Sequence, residues 1–165
     1  LLMSPPTFFR ITNSINPHMT NKDGDKNIVI QSLANEQWNK LKETIQNIGF
    51  EVIELKPKKN LPDLVFTVNH CLQISEKEIV LSKMAHAQRG PEIKYVKEFY
   101  SSIGLKVHEI DFDKFEGMGD SIWYPQEKKL WAGYGFRSSL DSYKKIESKF
   151  NIPFTPLKLI NSFFI

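Results

Sequence analysis

Three carboxylates stand in two short turns of the chain, Asp63 in Leu61-Pro-Asp-Leu-Val-Phe66 and Glu116 with Asp120 in Phe115-Glu-Gly-Met-Gly-Asp120. Acids that converge on one place suit a planar cation such as guanidinium, because two carboxylate oxygens can take its N–H groups in bidentate fashion. Arginine is scarce, at Arg10, Arg89 and Arg137 against many lysines, which reserves it for places that need a rigid donor fork. Arg89 lies just before one predicted helix and Arg137 just before the next, where an arginine and a helix N-terminus together hold a substrate carboxylate. Each of these residues also has a plainer reading. Asp63 after Pro62 shapes a turn, the Glu116–Asp120 loop is a glycine-permitted bend with solvated acids, and the arginines pair with surface carboxylates.

Other chemistry is poorly supplied. His18, His70, His86 and His108 have neither metal-ligand nor triad spacing, and His108 sits inside a predicted strand as a structural residue. Cys71 is the only cysteine, so no internal disulfide forms, and at the start of an apolar strand it reads as a small buried thiol. Trp38, Trp123 and Trp131 fall at apolar positions of a helix and two strands and read as core.

The elements that must position the acids come from periodicity. A helix from about Asn35 to Gly49 carries Trp38, Leu41, Ile45 and Ile48 on one face; a second starts at Gly90-Pro91 with Ile93, Val96, Phe99 and Ile103 inward; a third starts near Ser139 with Leu140, Tyr143, Ile146 and Phe150. Strands are predicted at Ile28–Gln31, Val65–Thr67, Leu72–Ile74, Ile79–Leu81, Ser121–Tyr124 and Lys129–Ala132, with a return strand at Pro153–Leu159. The segment Ile48-Gly-Phe-Glu-Val-Ile-Glu-Leu55 recurs 55 residues later as Ile103-Gly-Leu-Lys-Val-His-Glu-Ile110. Each copy leaves a helix, enters a strand, and is followed by an acidic turn and a hairpin. Units of this kind stack around an axis, which would bring Asp63, Glu116 and Asp120 together. Such stacking leaves Leu157, Leu159, Phe163, Phe164 and Ile165 on an open apolar edge.

Composition sets the outer bounds. With 165 residues, 41% of them hydrophobic and 12% aromatic, the chain has material for a buried core and length for one domain. Its 22 basic and 19 acidic residues are interspersed apart from Lys56-Pro-Lys-Lys59, so no nucleic-acid footprint stands out. No apolar run approaches the ~20 residues that span a bilayer, and the opening residues lack the regions of a signal peptide, so no membrane partner and a cytoplasmic setting are expected.

Taken together, Met3-Ser-Pro-Pro-Thr-Phe-Phe9, Ser14-Ile-Asn-Pro-His18, Leu61-Pro-Asp-Leu-Val-Phe-Thr-Val-Asn69, Phe115-Glu-Gly-Met-Gly-Asp120 and Leu130-Trp-Ala-Gly-Tyr-Gly-Phe-Arg-Ser138 resemble successive signatures of a known family. It is the dimethylarginine dimethylaminohydrolase-like branch of the guanidine-modifying superfamily, which includes arginine deiminases and amidinotransferases. The resemblance implies an α/β fold, a five-bladed α/β-propeller (pentein) of ββαβ modules, about three of which residues 1–165 would supply as a single incomplete domain. It also implies a cysteine thiolate that attacks the guanidino carbon, a histidine that shuttles protons, and no metal or organic cofactor. By motif, Glu116 matches the acid that orients and charges the histidine, and Asp120 supports the same turn. These two are the catalytic candidates. Asp63 matches a guanidine-side acid, and Arg89 and Arg137 match holders of the substrate α-carboxylate.

Two departures bear on that carry-over. Val68-Asn69 stands where the dimethylarginine enzymes have a Glu-Asp pair, which adds Asn69 to the substrate-binding set, and His70-Cys71 stands where small residues are usual. The family's His-Leu-Asp turn is expected after a segment like Leu157–Ile165, with the nucleophilic cysteine later still. The expectation is therefore the substrate-binding part of a hydrolase acting on guanidino C–N bonds of an arginine-like small molecule, inactive alone, with a separate C-terminal chain or a homo-oligomer as partner. The rival expectations are a non-catalytic binding module and a functionless remnant of a split gene.

Overall fold

The computed structural model describes residues 1–14 and 17–161. Ile15 and Asn16 of the Ser14–His18 signature, and Phe163, Phe164 and Ile165 of the expected apolar edge, lie outside them. The chain divides into two compact units, Leu1–Thr67 and Val68–Ile165. Among the described residues no helix is long and apolar enough to cross a membrane.

In the first unit, strand β1 (Leu2–Met3) pairs in parallel with β2 (Ile53–Glu54), and helix α1 (Gln31–Asn47) connects them. β1 has no counterpart in the sequence prediction, because two residues leave no readable alternation. The apolar stripe of α1 is present but largely uncovered: Trp38 and Ile45 are half-buried, while Leu41 and Ile48 are 53% and 66% exposed. The predicted strand Ile28–Gln31 does not form. Ile28 is 90% exposed with no strand beside it, and Gln31 already begins α1. Val65–Thr67 is not a strand either. Pro62 fixes the first turn of a 3-10 helix over Pro62–Val65, and a second 3-10 turn over Thr67–Asn69 follows at the boundary between the units.

The second unit holds two copies of one module. Strands β3 (Cys71–Gln73) and β4 (Glu78–Leu81) form a hairpin, helix α2 (Gly90–Ser102) crosses, and β5 (Lys106–His108) returns parallel to β4. Strands β6 (Ser121–Tyr124) and β7 (Lys129–Tyr134), helix α3 (Leu140–Phe150) and β8 (Phe154–Lys158) repeat the pattern in the order β6-β7-β8. In both, the helix supplies the crossover that a parallel return requires. The core lies between the modules, with Leu72 and Val80 of one against Phe112, Phe115, Leu130, Tyr143 and Ile146.

The sequence repeat is visible in the helix ends. At α1 the N–H of Gly49 donates to Gln46 and that of Phe50 to Ile45; at α2 the N–H of Gly104 donates to Ser101 and that of Leu105 to Tyr100. Both are Schellman caps, and both need the left-handed φ that glycine supplies, +94° at Gly49 and +84° at Gly104. The third helix uses Asn151 at φ +54° for the same purpose. Trp131 departs from its core reading. It is 45% exposed and stacks on Tyr124 on an outer sheet face with Ile122 and Leu157.

Candidate functional site: a buried carboxylate between two arginines

The Glu116-Gly-Met-Gly-Asp120 segment forms a 3-10 turn over Gly117–Gly119 that leads into β6. Its glycines answer to close approach. A Cβ on Gly117, which also sits at φ +52°, would collide with the Cys71 backbone, and one on Gly119 would collide with the Asn69 side-chain amide. The turn thus lies against the start of β3, and Asn69 reaches over it.

Glu116 is 1% exposed. Its Oε2 accepts from Asn69 Nδ2 at 3.1 Å and its Oε1 from the Ala85 N–H at 3.2 Å, while its own N–H donates to Ser138 Oγ at 3.0 Å. Arg137 Nε and Arg89 Nη1 lie 3.7 and 3.9 Å from Oε2, too far for hydrogen bonds but close enough to act as charges. Burial pushes the Glu116 pKa up, and the charges of Arg137 and Arg89 with the Ala85 N–H only partly offset it, so the group stays above its ordinary value. The two guanidinium charges and the Ala85 N–H all favour the carboxylate form, against the burial that opposes it.

The other site residues fall around it. Asp120 accepts from Arg137 Nη2 at 2.5 Å on Oδ1 and from Ser138 Oγ at 2.7 Å on Oδ2, so Ser138 joins the two acids of the turn. Arg137 also donates from Nη2 to the Gly119 carbonyl, and its side chain is 20% exposed. Arg89 is 3% exposed. Its Nε and Nη2 form a bidentate fork on Glu92 at 3.0 and 2.8 Å, and Glu92 Oε2 also takes His70 Nε2 at 2.8 Å. Burial raises Glu92, but the bonds from His70 and Arg89 outweigh it and hold the acid below its ordinary value. Burial pushes His70 below 6.5 despite Glu92, so the imidazole is neutral and donates through Nε2–H.

Of the six residues singled out from the sequence, Asn69, Arg89, Glu116, Asp120 and Arg137 come together in the second unit. Asp63 belongs to the first, where it is buried in its 3-10 turn and its carbonyl accepts from the Phe66 N–H at 3.0 Å. Sequence reasoning missed Glu92 and Ser138 as members. Glu92 had a signal in its three-residue spacing from Arg89 at a helix start, and Ser138 stood at the end of a quoted signature. Cys71 lies next to the cluster but is buried, with Sγ on the Tyr100 hydroxyl at 3.4 Å, and burial pushes its thiol up to about 11. Such a thiol is a poor source of thiolate. Among the described residues no group of acids, histidines and cysteine is arranged to hold a metal ion. An open cavity of about 470 Å³ in the first unit is walled by Phe8, Arg10, Lys26 and Lys59 without a carboxylate, which does not suit a cation.

The profile of the family described as N,N dimethylarginine dimethylhydrolase, eukaryotic, matches residues 5–161. The bifunctional arginine dihydrolase/ornithine cyclodeaminase ArgZ of Synechocystis is 39% identical over 99% of this chain, and AgrE of Nostoc, of the same description, is 36% identical over 99%. The chain spans 23% of the length of each. The crystal structure of the N-terminal domain of an ArgZ mutant, described as an arginine dihydrolase and bound to substrate, superposes with a TM-score of 0.90 at 38% identity, over 99% of this chain and 59% of that one. Fold and sequence therefore define a protein of the guanidine-modifying pentein superfamily, with the mixed α/β architecture of the ArgZ N-terminal domain. Within it, the chain belongs to the N,N-dimethylarginine dimethylhydrolase family.

Proposed function

We propose that residues 1–165 are the substrate-binding part of a hydrolase that acts on the guanidino C–N bonds of an arginine-like substrate. The observation that carries this reading is Glu116, fully buried and flanked by Arg89 and Arg137, with a pKa held above its ordinary value. In this role the Glu116 carboxylate meets a cation, either the substrate guanidinium or the imidazolium of a proton-shuttling histidine, and Asp120 braces Arg137 and the turn. Arg137, partly exposed, is the arginine a substrate carboxylate can reach; Arg89 supports the acid from within. Asn69 orients Glu116 Oε2, and Asp63, buried in its own 3-10 turn, is the carboxylate that the family motif puts on the guanidine side. What relatives are said to act on supports arginine itself as the first ligand to try.

Attack on a resonance-stabilised guanidinium carbon needs a placed thiolate and a proton donor for the departing amine, each contributing orders of magnitude in rate. Cys71, buried, bonded to Tyr100 and raised to about 11, does not serve as that nucleophile in this reading. The nucleophile comes from outside residues 1–165, from more of the same polypeptide or from a separate chain. The exposed face of Ile122, Trp131 and Leu157 is where a further module would pack. On this reading residues 1–165 alone bind L-arginine without forming a ureido product. Calorimetric titration with L-arginine is expected to give a binding isotherm that Glu116→Gln weakens at least about tenfold, the scale of one lost charge-assisted contact. No binding by the parent chain, or citrulline formation that Cys71→Ser abolishes, would overturn it.

A further inference from the structure

His70 and Glu92 are buried titratable groups of the cluster that the proposed function does not use. His70 is 0% exposed and lies beside Asn69 in the chain. Its Nε2 meets Glu92 Oε2 at 2.8 Å, the same oxygen that receives Arg89 Nη2 at 2.8 Å. A carboxylate only accepts, so Nε2 carries a hydrogen, while Nδ1 has no hydrogen-bond partner among the described residues.

We infer that His70 is a positioning residue, fixing the Glu92 carboxylate against which Arg89 is aligned and thereby setting how Arg89 faces Glu116. The terminal torsion of a glutamate has a broad, soft profile, so a fork between Arg89 and Glu92 three residues apart would turn as a pair about that torsion. A second fixed donor on Oε2 removes that freedom. With Glu92 held, the far end of the Arg89 guanidinium, Nη1, stands 3.9 Å from Glu116 Oε2. The backbone then links the two ends of the chain of contacts, because Asn69, next to His70, donates to that same oxygen at 3.1 Å. The His70 side chain bonds to Glu92, and it acts through Glu92 and Arg89.

The role in ligand binding rests on the reading of Glu116 as the acid that meets a cation; the alignment of Arg89 does not. Two variants separate a donor from a space-filler, since His70→Gln keeps an N–H near Nε2 and His70→Leu keeps volume without one. In nitrogen-edited NMR spectra of residues 1–165, the Arg89 Nε–H signal, assigned by its loss in Arg89→Lys, is expected to be sharp and protected from exchange. It should persist in His70→Gln and broaden away in His70→Leu. In titrations with L-arginine, His70→Leu is expected to weaken affinity about tenfold and His70→Gln to restore it to within about twofold, the span of one hydrogen bond to a charged group. Equal behaviour of the two variants in the Arg89 signal would overturn the inference. If the parent chain binds no arginine, the proposed function fails while the Arg89 signal still decides the role of His70. Should both variants fail to fold, the imidazole nitrogens of the unmodified protein decide: an Nε2–H tautomer at neutral pH supports the inference, and an Nδ1–H tautomer ends it.

Discussion

The two modules of the second unit share a backbone and exchange their chemistry. Cys71 opens one hairpin and Ser121 the other, and each side chain meets a tyrosine hydroxyl on the following helix, Tyr100 at 3.4 Å and Tyr143 at 3.2 Å. The residue before each, His70 or Asp120, accepts on its carbonyl from the partner strand, from Ser82 at 3.0 Å and Gly133 at 2.8 Å. At that shared position one module places a neutral donor and the other an anion. His70 leads through Glu92 to Arg89; Asp120 leads directly to Arg137. Both arginines end near Glu116, but one is sealed at 3% exposure and the other stands 20% open. A repeated scaffold can therefore deliver the same charge to one acid from two sides, while only one side remains accessible to a ligand.

The scaffold half of that comparison breaks most severely at Tyr143, which is fully buried and packs on Phe115 and Phe154. Tyr143→Ala is expected to cost about 3–5 kcal/mol, as for other large aromatics removed from a core, measured by urea unfolding. A finer cut separates the two tyrosines by their hydroxyls. The Tyr143 hydroxyl faces the Asp120 and Gly133 carbonyls at 3.2 and 3.0 Å as well as Ser121, whereas the Tyr100 hydroxyl meets only the weak S–H donor of Cys71 among the bonds described. Tyr143→Phe is therefore expected to lose about 1–3 kcal/mol through buried groups left unsatisfied, and Tyr100→Phe about 1 kcal/mol or less. Equal losses would show that these hydroxyls do not set the two modules apart.

Much of this arrangement is legible in the sequence where one residue carries one constraint. Gly49 and Gly104 mark helix ends because only a left-handed residue closes those caps, and the Glu116–Asp120 turn is readable because two glycines must pass close to another strand. The five residues that gather in the second unit were chosen from repeat position and motif. What the sequence does not show is how each pairs. The three-residue spacing lets Arg89 meet Glu92 without excluding a ligand, and nothing local to His70 says that its ring will find a helix 22 residues away. The strand predictions failed at Ile28–Gln31 and Val65–Thr67 for a related reason: β-rich residues form strands only beside a partner edge.

The smallest expected effect is the most discriminating between the two sides of Glu116, and it is a slope with pH. His70 is held below its ordinary 6.5 by burial, so below pH 6.5 the unfolded chain binds the proton that the folded chain refuses. Its contribution makes stability rise with pH from the folded value up to 6.5. Glu116 is held above its ordinary 4.5, so above pH 4.5 the folded chain keeps a proton that the unfolded chain releases, and its contribution makes stability fall with pH. Glu92 and Glu78, both held low, lose their contributions on the acid side of pH 4.5 and leave this window to the opposed pair. Removing one member should expose the other. Between pH 4.5 and 6.5, Glu116→Gln is expected to steepen the rise of Tm with pH, and His70→Gln to flatten or invert it, each by no more than the roughly 1.4 kcal/mol per pH unit that one proton allows. Parallel Tm profiles for the parent and both variants would mean that neither group titrates differently on folding, and the contrast between the sealed and open sides of Glu116 would then lie in access alone.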